Sequence, residues 1–326
     1  MFLSKYILGE GVEEKRKGIY AKYYCEDKIG LITIWFRAMR IKFLLASLIA
    51  SANGIILASS RYSSFDLGYA ILTMAGVFSL HASIDLLNDY WDYKRGIDKI
   101  TKRTKFSGGT GVIPENVLSP KTVYQAAILF LVIGVLIGAY FVTVRGPIIA
   151  FILAFAVFAI FFYSTKVVNF GLAELFVGIK GSLIVIGSFY VQTSFIEFPA
   201  VFIGTIIGML SSSVLLVNSF PDYNADRLGG RRTLIIMLGK RSAYRIFTIL
   251  VITVYAMIIL GTLVGFTSIY SVGCLVSIPY ALKAIRELKK NYENSDAVVP
   301  AMAATVNYSR VTSLFLAVSM MVPLFQ

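Results

Sequence analysis

The chain has 326 residues, 57% of them hydrophobic and 15% charged, with a mean hydropathy of +0.75 and a formal net charge of +13. Because this composition is too apolar for a soluble domain of this length, it predicts a polytopic integral membrane protein. The two cysteines, Cys25 and Cys274, exclude a disulfide framework or a thiolate metal site, and the single histidine, His81, excludes a multi-histidine site. The sequence contains no aqueous basic domain that could bind nucleic acid. We therefore interpret the excess of Lys and Arg as setting the membrane topology.

The first 32 residues are polar and charged, and no apolar run follows them at once as it does in a signal peptide. We expect residues 1–32 to form a cytoplasmic N-terminal extension. No low-complexity linker or change of composition divides the rest of the chain. We therefore expect residues 33–326 to form one transmembrane domain.

Nine apolar segments follow in order, each about 18–25 residues long and able to cross about 30 Å of hydrocarbon. The predicted fold class is therefore all-α, a polytopic membrane bundle of nine transmembrane helices. The predicted spans are 38–58, 65–87, 122–143, 147–164, 171–193, 197–219, 243–264, 267–284 and 303–325. The fourth follows the third after a tight turn at Gly146 and Pro147.

The distribution of Lys and Arg predicts the orientation of these spans. With the N-terminus inside, only Arg61 and Arg145 of the 31 basic residues fall outside, while Lys180 and Arg310 lie within spans. Such a bias is typical of cytoplasmic loops. We predict a multi-pass protein of the cell membrane with a cytoplasmic N-terminus, and the ends of spans two and six then open onto the cytoplasm.

Both of these ends carry acidic clusters with helical spacing. Asp85, Asn88 and Asp92 are three or four positions apart, and a second cluster, 130 residues later, repeats the spacing. Its members are Asn218, Asp222 and Asp226. Oxygen ligands of this kind suit Mg²⁺, which binds one or two carboxylates together with a substrate's phosphates. Two facing clusters would hold a diphosphate through metal ions.

Cations and glycines follow each acidic cluster. The first loop contains several Lys and Arg before the glycine-rich run 107–111, and the second runs from Arg227 to Thr233. Cations bind phosphate oxygens, and glycine lets backbone N–H groups approach an anion. Such a site at the mouth of an apolar bundle fits an isoprenyl diphosphate. The departing diphosphate would be stabilised electrostatically, an aromatic face such as that of Tyr163 would stabilise the allylic cation, and an electron-rich acceptor would capture it.

At these residues the chain resembles the UbiA superfamily of intramembrane prenyltransferases, over about residues 33–325. The runs NDYWDYKRGID (88–98) and GGTGVIPENVLSP (108–120) are similar to its MenA branch, as are 171–193 and 230–239. Those enzymes attach a polyprenyl chain to 1,4-dihydroxy-2-naphthoate on the way to menaquinone. Asp98 comes ten residues after Asn88, where many members of the superfamily have eight, and the Arg-Pro step of other branches is absent. Both differences favour the MenA branch.

The resemblance implies roles for individual residues. It implies Mg²⁺ ligands, or their immediate supports, at Asn88, Asp92, Asp222 and Asp226, with Asp98 and Asn218 joining them at the rim. It implies diphosphate contacts at Arg40, Lys102, Arg103, Lys166 and Arg231. It also places Tyr163 near the reacting carbon. Among these residues, Asp92, Asp222, Tyr163 and Lys166 are expected to carry the catalysis.

The expected reaction is the transfer of a prenyl group from an isoprenyl diphosphate to a lipophilic or aromatic acceptor, with Mg²⁺, within the lipid bilayer. An acceptor of the dihydroxynaphthoate type is favoured. A phenol or a glycerol lipid stays open as the acceptor, because no motif marks the acceptor pocket. From other classes, a transporter and a non-catalytic lipid-binding protein stay open, although transport sites usually lie at the bilayer midplane and these acids gather at helix ends.

Overall fold

The computed structural model describes residues 30–96, 103–104, 106–162 and 167–322, so nearly all of the predicted N-terminal extension lies outside it. Within these ranges the chain forms eleven α-helices and three 3₁₀ segments, and no strand. The helices are α1 (Leu31–Ala38), α2 (Ile41–Tyr62), α3 (Leu67–Lys94), α4 (Pro120–Arg145), α5 (Pro147–Phe162), α6 (Ala173–Thr193), α7 (Phe198–Leu228), α8 (Leu234–Leu238), α9 (Lys240–Leu263), α10 (Ile278–Asn291) and α11 (Val299–Met321). The 3₁₀ segments are Val167–Phe170, Ile269–Ser277 and Ser295–Val298.

Six of the described helices are long and apolar enough to cross a membrane: α2, α3, α4, α6, α7 and α9. The all-α membrane fold is therefore confirmed. Helices α3 and α7 continue beyond the predicted spans 65–87 and 197–219 to Lys94 and Leu228. As a result, both acidic clusters lie on the last turns of long helices and not in loops.

The other three predicted spans differ from these six. Helix α5 is described over 16 residues, and α11 is 23 residues long but is not among the six. The predicted span 267–284 is divided between the 3₁₀ segment Ile269–Ser277 and α10. The division has a local cause, because Pro279 has no N–H to continue a helix from the preceding turn and instead suits the first turn of α10.

Sequence signals set several helix boundaries as expected. The Asp66 side chain accepts a hydrogen bond from the Tyr69 N–H at 2.7 Å and caps α3. Helix α4 ends at Arg145, Gly146 follows with φ +89°, and α5 begins at Pro147. Because a side chain is strained at that φ, glycine is the residue that permits this turn. The predicted tight turn is confirmed.

Two main hydrophobic cores, with a third small cluster around Phe141 and Tyr190, hold the bundle together. The larger core packs α7 against α2, α6, α9 and α11, and Phe189, Phe247 and Tyr308 are fully buried in it. The smaller core lies mainly among α2, α3 and α4 and contains Leu44 and Leu86. Each acidic cluster is carried by a helix of a different core, so the cavity between α3 and α7 is also where the two cores meet.

Close backbone contact joins α2 to α6. A Cβ atom at Gly54 would lie 2.2 Å from the Val185 carbonyl oxygen, a distance at which one helix must move. A similar contact joins α6 to α7 at Gly208, where a Cβ atom would lie 2.4 Å from the Gly178 carbonyl oxygen. Small residues commonly permit such close crossings between membrane helices. These contacts fix the distance between the helices that surround the cavity.

We expect Gly54→Ala to destabilise the protein by about 1–3 kcal/mol, because the added methyl group meets backbone that cannot turn away. The apparent melting temperature in detergent measures this effect. Gly187→Ala on α6 is the matched control, since its Cβ atom would make only an ordinary 3.4 Å contact with Ile152 Cδ1. Equal melting temperatures for the two variants would contradict this description of the crossing.

Candidate functional site

A cavity of about 290 Å³ lies between the last turns of α3 and α7 and contains both acidic clusters. The two clusters were predicted to share one site, and they line the same cavity. Their members in its wall are Asp85, Asn88, Asp92, Asn218, Asp222 and Asp226. Two arginines, Arg40 and Arg231, line it as well.

Arg231 joins the two clusters. One terminal nitrogen donates to an Asp92 carboxylate oxygen on α3, and the other donates to Asp226 Oδ1 on α7 at 3.0 Å. Burial alone would lower the pKa of Arg231, but the carboxylates of Asp92 and Asp226 raise it above its ordinary value. The guanidinium is therefore charged, and it holds two acids that are far apart in sequence at one place.

Arg40 is held at the other side of the cavity by a buried acid. Its Nη2 atom donates to Asp89 Oδ1 at 2.5 Å, and the Asp89 side chain is only 4% exposed. Asp89 also accepts hydrogen bonds from the Thr110 hydroxyl and, at 3.3 Å, from the Thr110 N–H. Burial lowers the pKa of Arg40, yet its attraction to Asp89 and to the neighbouring acids produces a net rise. Asp89 thus positions a cation instead of lining the cavity.

Arg40 also adopts an unusual backbone conformation. It lies between α1 and α2 with φ +48° and ψ +47°, in the left-handed region that a non-glycine residue seldom occupies. Such strain, of order 1 kcal/mol, persists where the surrounding contacts determine the conformation. Here the contact is the ion pair with Asp89, which turns the guanidinium towards the acidic helix ends.

Two side chains of the second cluster have oxygens without protein donors. Asn218 Oδ1 and Asp222 Oδ1 are buried and accept no hydrogen bond. Asp85 Oδ2 and both Glu174 carboxylate oxygens, on residues of the same cavity wall, accept none either. Buried acceptors are almost always satisfied, so five such oxygens in one cavity are typical of a site for a cation or a donor group.

Among the described residues, no group of three or more His, Cys, Asp or Glu side chains forms a metal cage by itself. The candidate ligands include the side-chain amides of Asn88 and Asn218. Arg231 lies between the carboxylates of Asp92 and Asp226.

The glycine-rich run after the first cluster also reaches the cavity. Ser107, Gly108 and Gly109 line it, and both glycines have positive φ, at +85° and +75°. This agrees with the predicted place of these glycines beside the acids. The run continues through Thr110, which is hydrogen-bonded to Asp89, so the loop and the helix end are connected.

The structure does not bring every predicted residue to the cavity. Arg103 forms an ion pair with Glu115, which also binds Arg37 at 2.7 Å, and Arg103 does not contribute to the cavity wall. Four other predicted site residues lie outside the described part of the chain: Asp98, Lys102, Tyr163 and Lys166.

Sequence reasoning gave no role to Asp89 or to the polar residues deeper in the cavity. Asp89 comes four residues after Asp85 and three before Asp92, so it lies on the same helical face as the first cluster, and this spacing is the signal that could have included it. Ser47, Glu174 and Lys180 also line the cavity. Charged residues inside an apolar span are a general indication of function, but that signal does not show which residues meet.

The family model for the UbiA prenyltransferase family matches residues 45–309 of this chain. A relative from Bacillus subtilis (strain 168), 1,4-dihydroxy-2-naphthoate octaprenyltransferase, is 26% identical over 300 residues, which are 90% of this chain and 94% of the relative. These matches confirm the resemblance seen in the sequence.

Two solved structures have the same fold. A UbiA homolog from Archaeoglobus fulgidus bound to GPP and Mg²⁺ has a TM-score of 0.64 at 12% identity, covering 90% of this chain and 100% of its own. A structure described as digeranylgeranylglyceryl phosphate synthase has a TM-score of 0.62 at 15% identity, covering 89% of this chain and 98% of its own. By its sequence match and its fold, this chain is a membrane-bound prenyltransferase and belongs to the UbiA prenyltransferase family.

Proposed function

We propose that this enzyme transfers a prenyl group from an allylic isoprenyl diphosphate to an aromatic acceptor of the dihydroxynaphthoate type. The observation that carries the proposal is the single cavity that both acidic clusters line, with Arg40 and Arg231 beside them. This arrangement suits a diphosphate, which needs cations and metal-binding oxygens together. The name of the Bacillus subtilis relative supports the choice of acceptor.

The residues present fit Mg²⁺. The buried oxygens of Asn218 and Asp222 accept no hydrogen bond, and hard oxygen ligands of this kind are the ones Mg²⁺ prefers. The proposed ligands, or their supports, are Asn88, Asp92, Asp98, Asn218, Asp222 and Asp226. When bound there, Mg²⁺ would supply positive charge that stabilises the diphosphate as it leaves.

The chain's own cations would bind the diphosphate directly. Arg231 and Arg40 line the cavity, and a guanidinium binds phosphate oxygens in a bidentate manner. We also assign diphosphate contacts to Lys102, Arg103 and Lys166, and for Arg103 this contact would replace its ion pair with Glu115.

The proposed reaction is an electrophilic substitution. The C–O bond of the prenyl diphosphate breaks with both electrons remaining on the diphosphate, and a ring carbon of the acceptor supplies the electrons of the new C–C bond. The ring then loses H⁺, or CO₂ from a ring carboxylate, and recovers its aromaticity. Tyr163 and Lys166 are assigned to the reacting end of the donor, and the apolar walls keep water away from the cation.

We further propose that the domain spans the membrane nine times, with α5, the 269–291 segment and α11 added to the six long helices. The N-terminus and the mouth of the cavity would then be cytoplasmic. The support is the distribution of Lys and Arg, since the loops that adjoin both acidic helix ends are basic.

Removal of divalent ions is expected to abolish prenyl transfer. Purified protein, labelled prenyl diphosphate and 1,4-dihydroxy-2-naphthoate should give labelled product with Mg²⁺ and none with excess EDTA, because the aspartate carboxylates among the proposed ligands repel a diphosphate when their cation is absent. EDTA saturated with Mg²⁺ beforehand is the control for the chelator itself. Undiminished product in excess EDTA would contradict the metal assignment.

A glycerol lipid is the second candidate acceptor, and the similarity of fold to the digeranylgeranylglyceryl phosphate synthase structure favours it. The same assay, run with a prenylated glycerol phosphate in place of the naphthoate, separates the two. Product from the glycerol lipid alone would overturn the aromatic acceptor while leaving prenyl transfer in place.

A further inference from the structure

A second polar cluster lies deeper in the bundle than the acidic helix ends. Its side chains are Ser47 on α2, His81 and Asp85 on α3, and Lys180 on α6. His81 Nδ1 is 2.6 Å from Ser47 Oγ, and His81 Nε2 is 3.4 Å from Asp85 Oδ2. Asp85 and His81 precede Asp92 by seven and eleven residues, which places them about 10 and 16 Å further along the axis of α3.

Lys180 differs from the two arginines of the cavity in its partners. Arg40 is paired with Asp89, and Arg231 is paired with Asp92 and Asp226. No hydrogen bond or ion pair joins the Lys180 amine to any residue in the described ranges, although Asp85 attracts it through space. A charged group inside a membrane span is costly without a partner, so its presence here points to a ligand.

Lys180 also lies where two cavities meet. The acid-lined cavity adjoins a second one of about 140 Å³, whose wall is mostly apolar. The residues that line both are Ser47, His81, Ile84, Ala159, Lys180 and Ile184. A ligand at this junction would meet one amine, the hydrogen-bonded pair of Ser47 and His81 with Asp85 beside it, and aliphatic walls. That combination suits a flat apolar ring that carries an anionic group and a hydroxyl.

We propose that the Lys180 amine binds the carboxylate of an aromatic acceptor and thereby selects acceptors that carry one. The ring would pack against Ile84, Ala159 and Ile184. This inference rests on the proposed prenyl transfer to an aromatic acceptor, and it adds the group by which that acceptor is recognised.

The positive charge of Lys180 explains why we expect the carboxylate of the acceptor, and not one of the protein, to pair with its amine. An ammonium in the wall of the cavity where the allylic cation would form opposes its formation, because the two positive charges repel in a site of low dielectric. A bound carboxylate cancels that repulsion. The donor would therefore react readily only when the acceptor is in place, whereas a protein carboxylate paired with Lys180 would give no such dependence.

The test measures acceptor binding on the full-length protein in nanodiscs, with two matched pairs of ligands. The pairs are 1,4-dihydroxy-2-naphthoate with 1,4-dihydroxynaphthalene, and 1-hydroxy-2-naphthoate with 1-naphthol. We expect the unmodified protein to bind each carboxylate about 10- to 100-fold more tightly than its partner, as a charge-assisted hydrogen bond predicts. Lys180→Met should remove this preference, Lys180→Arg should restore part of it, and the KM for the prenyl diphosphate should not change.

Lys121→Met is the control, because Lys121 is exposed at the start of α4 and lines neither cavity. A carboxylate preference that persists in Lys180→Met would overturn the proposal. So would the lack of any preference in the unmodified protein, a result that does not depend on whether the variant folds. Carboxylate-selective binding through Lys180 without prenyl transfer to either naphthoate would instead overturn the proposed acceptor and leave the binding role intact.

Discussion

Asp222→Asn is expected to lower kcat by about 10²-fold or more, because the substitution removes a charge from the group that would hold the diphosphate's metal ion. The stability of the protein should not fall. Asp222 Oδ1 is buried without a hydrogen-bond donor, so neutralising this side chain removes an unfavourable burial and not a favourable contact. The expected combination is an inactive protein with an unchanged or higher apparent melting temperature.

Asp92→Asn should give the same loss of kcat with a different effect on stability. Asp92 pairs with Arg231, so its neutralisation weakens the link between α3 and α7, and the apparent melting temperature should fall. Asp66→Asn is the matched control on α3, since asparagine caps a helix as well as aspartate does. Turnover near the unmodified rate in either variant of the cluster would contradict the assignment of these carboxylates.

Arg40→Ala is expected to destabilise the protein by about 3 kcal/mol or more and to abolish activity. The variant leaves Asp89 buried without its cation, which costs more than the weak net benefit of the pair itself. The apparent melting temperature should fall by about 5 °C or more. Adding Asp89→Asn to Arg40→Ala should recover most of the lost stability but none of the activity, because the uncompensated charge disappears while the cavity still lacks its arginine.

Arg40→Gly separates the ion pair from the backbone strain. Glycine relieves the positive φ of position 40, a gain of about 1 kcal/mol, but it also removes the guanidinium. We expect Arg40→Gly to lie between Arg40→Ala and the unmodified protein in stability. If Arg40→Gly matched the unmodified protein, the loss of the ion pair with Asp89 would cost no more than the relieved strain of about 1 kcal/mol, and the expected loss of about 3 kcal/mol would be wrong.

Much of the site could be predicted because its signal is local in sequence. The spacing of Asn88 and Asp92, and of Asp222 and Asp226, places each pair on one helical face, and the structure confirms helices at both places. Membrane spans likewise follow from runs of apolar residues. The tight turn at Gly146 was predictable for the same reason, since glycine and proline act on the backbone at their own positions.

What could not be predicted depends on contacts between distant parts of the chain. Whether Arg40 binds Asp89 or a substrate is decided by the packing of α2 against α3, which no local pattern describes. The predicted span 267–284 is apolar and long enough for one helix, but Pro279 interrupts it. Composition alone does not show which of these two features decides the structure. The meeting of His81 and Asp85 with Lys180 depends on how α3 packs against α6, so the sequence indicated only that each residue was unusual.

The double ion pair of Arg231 has a practical consequence for handling the enzyme. The Arg231 guanidinium already binds carboxylates of both α3 and α7, so these two helix ends stay together without a metal ion from solution. Small zinc-dependent domains behave in the opposite way, since stripping their metal unfolds them. Preparations of this protein cleared of divalent ions should therefore remain intact in detergent and recover full turnover as soon as magnesium is returned.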